Sequence, residues 1–205
     1  MDNLWYKLID YFSPIRLCRE WNESKIRSNC TPGKELTGIA EPVNAWSNLA
    51  YIIGGAVAFI LSGTLSSVIF ALSMTALGIG SFLYHAIPSR KSARLDHFGI
   101  YAVFSSLLLL ALGAISLMAG LVSWAFAYKF SHRIETDLNA TTGVVGILAF
   151  LAVGISTMSL FGLGFIGVAF IVWHLDIRGW LLGRYGHGIW HILTAIGITL
   201  LFLAI

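Results

Sequence analysis

The stretch GSFLYHAIPSRKSARLDH, residues 80–97, closes one long uncharged run and opens another. Ser81 and His85 stand four residues apart, so a helix places them on one face. Asp96 follows beyond Pro88 and the basic residues Arg90, Lys91 and Arg94, which read as a short turn. Far along the chain, GRYGHGIWH at residues 183–191 repeats the four-residue spacing with His187 and His191, where the last apolar run begins. Imidazoles and a carboxylate at the ends of membrane helices are costly unless they bind something or each other. The pattern reads as a zinc site inside a membrane bundle.

Composition supports the membrane half of that reading. The 205-residue chain is 57% hydrophobic and only 11% charged, against roughly 25% charged residues in a soluble domain. Residues 42–89, 98–128 and 138–175 carry no formal charge, and one crossing needs about 20 apolar residues. The expectation is an all-α, multi-pass integral membrane protein with no separate soluble domain. The net charge of +3 comes from short loops and the N-terminal arm, which favours anionic headgroups over nucleic acid as the partner.

Residues 1–40 form an arm ahead of a bundle spanning 41–205. Trp5, Tyr6, Leu8, Ile9, Tyr11 and Phe12 suit a short amphipathic segment at the membrane interface. No basic segment, apolar run and small-residue cleavage site mark a signal peptide. Cys18 and Cys30 pair in an oxidising compartment or stand as two thiols. Glu20, Glu23 and Glu35, followed by Glu41, fit either a solvated mixed-charge loop or part of a calcium cage, since hard cations take several oxygen ligands.

A first span is expected over residues 44–61, opened by EPVNAWSN. Asn44, Ser47 and Asn48 share one sector of it, a polar stripe that faces protein and not lipid. A second span covers residues 66–85, and a third begins near Asp96. The uncharged run 98–128 is either one helix, roughly 46 Å long against a core of roughly 30 Å, or two short crossings. One helix gives six spans and puts His187 on the face opposite His85 and Asp96. Two give seven spans and one shared face, so a shared site requires seven transmembrane helices. Fifth and sixth spans lie within 138–175, and the seventh covers 187–205. With seven, every charged loop lies on the face of the N-terminus, which the positive-inside rule puts in the cytoplasm.

A catalytic zinc takes three protein ligands and keeps a position for water. His85, His187 and His191 supply three imidazoles. Asp96 is placed to accept a proton from that water or to orient a ligand, and Ser81 to donate a hydrogen bond to a developing oxyanion. Each has a plainer alternative. His85 suits an interfacial histidine, the HxxxH pair a polar helix start, Asp96 a helix N-cap, and Ser81 a small residue between helices. His97, His132 and His174 with Asp176 read as structural or as neighbours of the site.

The set of Ser81, His85, Asp96, His187 and His191 resembles the alkaline ceramidase family. That family belongs to a wider superfamily of membrane hydrolases that includes the adiponectin receptors and the GPI-anchor remodelling proteins. The resemblance covers nearly the whole chain, and EPVNAWSN resembles the family's opening of the first span. It implies a seven-span, zinc-dependent amidase that cleaves the N-acyl bond of ceramide. Zinc would sit on His85, His187 and His191, with Asp96 as proton acceptor and Ser81 assisting. It also implies calcium in the arm, where CREWNE matches through Glu20, the Trp21 carbonyl and Glu23, together with Glu41. Here Glu20 replaces an aspartate and Lys25 an asparagine of that pattern. The resemblance further implies a lumenal N-terminus, opposite to the charge rule. Two other readings accompany this one: zinc-dependent hydrolysis of another membrane lipid amide or ester, and a non-catalytic receptor or transporter with a structural zinc.

Overall fold

A computed structural model describes residues 39–111, 125, 129, 160–177 and 185–205. Every regular element among the described residues is helical. The first is α1, Pro42–Ser47, with Pro42 in the first turn, where its missing N–H costs nothing. Asn48 interrupts the rod: its N–H turns back to the Ala45 carbonyl at 3.2 Å, and its own carbonyl receives Tyr51 N–H at 3.1 Å. These tight three-residue bonds separate α1 from α2, Leu49–Ile60. The two helices together make one apolar stretch long enough to cross a membrane.

The next helix, α3, covers Leu65–Ala86 and is capped by Thr64, whose hydroxyl accepts from Ser67 N–H. The last carbonyls of a helix have no partner within it. Here the chain ahead of α1 supplies two, because Ala40 N–H reaches Ala86 O at 3.1 Å and Glu41 N–H reaches His85 O at 3.0 Å. The start of the first span is thereby stitched to the end of α3.

The fourth helix, α4, covers Arg90–Ala111. It starts earlier than the sequence reading has it, so Arg90, Lys91 and Arg94 lie on helix and not in a turn. The reason is a reciprocal cap. Ser92 N–H donates to Ser89 Oγ at 3.0 Å, and Ser89 N–H donates to Ser92 Oγ at 2.9 Å. Because Ser89 holds the helix start, Asp96 sits inside α4 and is not its N-cap.

Two glycines set how closely α3 and α4 approach. A Cβ on Gly99 would lie 2.4 Å from Leu77 Cα, and one on Gly80 would lie 2.6 Å from Leu95 O and 2.9 Å from Asp96 N. Backbone therefore meets backbone at the level of Gly80, which brings Asp96 alongside Ser81.

The remaining helices are α5, Leu160–Ile177, and α6, Gly186–Leu203. They pack on each other, α3 packs on α4, and α1 and α2 touch both α3 and α6. The core between them holds Phe70, Met74, Leu107, Ile198 and Leu201, with Phe70 stacked on Phe202 at 4.8 Å. The outside is equally apolar: Phe161 is 83% exposed and Ile60 78%. Among the described residues three helices, Pro42–Ile60, Leu65–Ala86 and Gly186–Leu203, are long and apolar enough to cross a bilayer, and Leu160–Leu175 is a shorter apolar helix. Large exposed side chains of this kind suit acyl chains and not water. The protein is membrane-embedded.

Candidate metal centre

His85 lies one residue from the end of α3, and His187 and His191 occupy the first two turns of α6. A four-residue spacing puts the latter two on one helical face. The stitching of α1 between α3 and α6 brings the third ring to them. One ligand atom from each imidazole lies within 4.8 Å of the others. The ring centroids form a triangle with sides of 5.0, 5.1 and 4.6 Å. All three rings are buried.

These residues fit a metal ion. Burying three imidazoles against one another in an apolar bundle strips their hydration, and a shared cation would compensate all three at once. Three nitrogen donors from two helices, with no thiolate among them, form a set that suits zinc and other borderline divalent ions.

The first span supplies a surrounding layer of polar contacts. Glu41 is buried, and its Oε2 lies 2.7 Å from His85 Nδ1. The same oxygen accepts from Asn44 Nδ2 at 2.8 Å. Ser47 Oγ lies 2.8 Å from His191 Nδ1 and donates to the Asn44 carbonyl at 2.8 Å. Asn48 Nδ2 donates to that same carbonyl at 2.7 Å. The stripe of Asn44, Ser47 and Asn48 thus faces protein, as the sequence predicts. Aromatic rings close the periphery. Trp190 packs 5.1 Å from both His187 and His191, and Tyr51 meets His191 edge-on at 6.1 Å.

Ser81 and Asp96 are both buried. Ser81 is one turn before His85 on α3, and the Gly80 contact holds the Asp96 backbone beside it. The buried Asp96 carboxylate lies within electrostatic range of the Tyr51 hydroxyl, and Tyr51 itself meets His191 of α6 edge-on. Asp96 therefore faces the bundle interior, where the first span and α6 meet.

Glu41 is engaged with His85 in this structure. Glu20, Trp21 and Glu23, the other expected calcium ligands, lie outside the described residues, as do Cys18, Cys30 and His132. His97 is half-buried next to Asp96, and His174 is exposed near the end of α5. Neither joins the histidine cluster among the described residues. Sequence reasoning missed Glu41 and Ser47 as partners of the clustered histidine rings. The polar stripe was the available signal, but it says which face is polar and not which ring it meets. No family model matches the chain, and no curated protein matches it.

Proposed function

We propose that this protein is a zinc-dependent membrane hydrolase that cleaves the N-acyl amide bond of ceramide, releasing a sphingoid base and a fatty acid. The observation that carries the metal is the triangle of three buried imidazoles drawn from two helices. The resemblance of Ser81, His85, Asp96, His187 and His191 to the alkaline ceramidase pattern carries the reaction and the substrate. When bound, zinc acts as a Lewis acid toward a carbonyl oxygen and makes water nucleophilic near neutral pH.

The chain's own residues would do the rest. The Asp96 carboxylate takes a proton and later returns it to the leaving amine, as a general base and then a general acid. The Ser81 hydroxyl donates to the oxygen on which negative charge grows. The apolar exterior admits a two-chain lipid from the bilayer. In this reading calcium binds the arm through Glu20, Trp21 and Glu23.

The same reading has seven crossings. The end of α3 and the start of α6 meet at the histidines, so both lie on one side of the bundle. An odd number of crossings gives that arrangement; the fourth and fifth of the seven expected crossings fall within 112–159, outside the described residues but for two positions.

The test is metal analysis paired with a lipid panel. The wild type should carry about one zinc per chain and release fatty acid from ceramide. His187→Ala should lose both. Asp96→Ala should keep zinc while hydrolysis drops about 10²- to 10⁴-fold. Undiminished hydrolysis in His187→Ala would sink the proposal. Hydrolysis confined to glycerolipids would replace its substrate, and bound zinc with no hydrolysis of any lipid would favour the receptor reading.

A further inference from the structure

Neutral imidazole binds a metal through whichever nitrogen lacks the hydrogen, so the partner of the other nitrogen decides which one that is. Two ligands at this centre have such a partner on the first span, and the hydrogen can be located in both cases. Glu41 Oε2 lies 2.7 Å from His85 Nδ1 and already accepts the Asn44 amide hydrogen. An ionised carboxylate only accepts hydrogen bonds, so the hydrogen between them belongs to Nδ1. The Nε2 lone pair of His85 is then the ligand atom.

The second case rests on a count of hydrogens. A serine hydroxyl has one hydrogen to donate. Ser47 donates it to the Asn44 carbonyl at 2.8 Å. In the 2.8 Å contact with His191 Nδ1, Ser47 Oγ must therefore accept, and Nδ1 carries the hydrogen. Nε2 of His191 is again the ligand atom. Asn44 joins the two halves, since its side chain holds Glu41 and its carbonyl receives Ser47.

We propose that Glu41 and Ser47 are positioning residues that fix the tautomer and ring orientation of His85 and His191, so that the first span presets the metal centre while donating no ligand to it. The inference rests on the metal reading above and deepens it. It also gives Glu41 a role at the histidine centre instead of in the calcium segment. The backbone adds to the argument, because Glu41 N–H bonds the carbonyl of His85 itself. Main chain and side chain of one residue thus hold one ligand at both ends.

The test measures zinc affinity of the purified full chain in detergent by competition with a chromophoric chelator, with the absorption spectrum of the Co²⁺-loaded protein as a second readout. Glu41→Ala should weaken zinc about 10- to 100-fold, the usual cost of losing a partner behind a metal-ligating histidine. Glu41→Gln keeps the shape and an acceptor oxygen but loses the charge, so it should fall between wild type and Glu41→Ala. If Glu41→Ala does not fold, Glu41→Gln decides the matter. Ser47→Ala should weaken zinc and shift the cobalt spectrum, whereas Ser47→Thr, which keeps the hydroxyl, should restore both. Excess zinc should refill the Glu41 variants and excess calcium should not. Wild-type zinc affinity in Glu41→Gln and Ser47→Ala overturns the inference and leaves the metal centre standing. Recovery with calcium alone also overturns it, since Glu41 would then act as a calcium ligand. A wild type that binds no zinc overturns both readings.

Discussion

A buried imidazole has two nitrogens to satisfy, and at this centre the two sides are served by different parts of the chain. Glu41 and Ser47 take the outer nitrogens of His85 and His191, and the inner sides converge on one point. At this scale Asp96 is the residue whose removal should separate chemistry from binding. Asp96→Asn keeps the volume and loses the base, so hydrolysis should fall about 10²- to 10⁴-fold with zinc content unchanged, measured by metal analysis beside a fatty-acid release assay. Loss of zinc in that variant would instead make Asp96 part of the metal's own support. The three clustered histidines themselves were legible in the sequence, because six histidines in the whole chain leave few sets with helical spacing. Ser47 was not, because a serine in an apolar helix more often only bonds back to its own turn.

Helices place these residues, and their ends matter more here than their middles. The Ser89–Ser92 cap starts α4 at Arg90 and so sets Asp96 inside the helix, with its own backbone at the Gly80 contact. Ser92→Ala removes one half of that cap and the bond from Ser92 Oγ to the Ile87 carbonyl at 2.8 Å. A loss of about 1 kcal/mol is expected, read as a lower unfolding temperature in detergent. Gly80→Ala should cost more. Its methyl would stand 2.6 Å from a backbone carbonyl oxygen that cannot turn aside, so α3 and α4 must part, at about 1–3 kcal/mol. The parting also moves Asp96 from Ser81, so activity should fall further than stability accounts for. Gly164→Ala is the control: a Cβ there meets nothing within 4 Å among the described residues, and its unfolding temperature should stay put or rise. The cap went unread in the sequence because Pro88 and three basic residues all point to a loop. Two serines trading hydrogen bonds outweighed that composition.

For the molecule as a whole, the apolar exterior and the buried polar centre have one explanation. In lipid, helices gain little from hiding apolar side chains from one another, so close backbone approach and polar contacts between helices hold the bundle. The glycine contacts of α3 with α4, and the bonds from Ala40 and Glu41 to α3 and from Ser47 to α6, are among the contacts of that kind in the described residues. The placement of helix ends gives a topological prediction. Lys91, near the start of α4 beside the histidine end of the bundle, and Ile205, just beyond α6, should be labelled from opposite sides of the membrane. Single-cysteine variants Lys91→Cys and Ile205→Cys, made with Cys18 and Cys30 changed to serine, can be probed with an impermeant maleimide before and after permeabilisation. Labelling of both from the same side would contradict an odd number of crossings.

The sequence by itself determined that the chain is helical and membrane-embedded, because continuous apolar runs this long cross lipid as helices, whereas barrel strands are short and alternate in polarity. It also singled out His85, His187 and His191, since three such residues at helix ends in an apolar chain are too costly to be idle. What only the tertiary structure decided is who serves them. Spacing along a helix fixes which residues share a face but not which face meets which across a bundle. The pairing of Glu41 with His85 and of Ser47 with His191 joins residues 44 and 144 positions apart. Packing of α1 between α3 and α6 had to bring them within a hydrogen bond of each other.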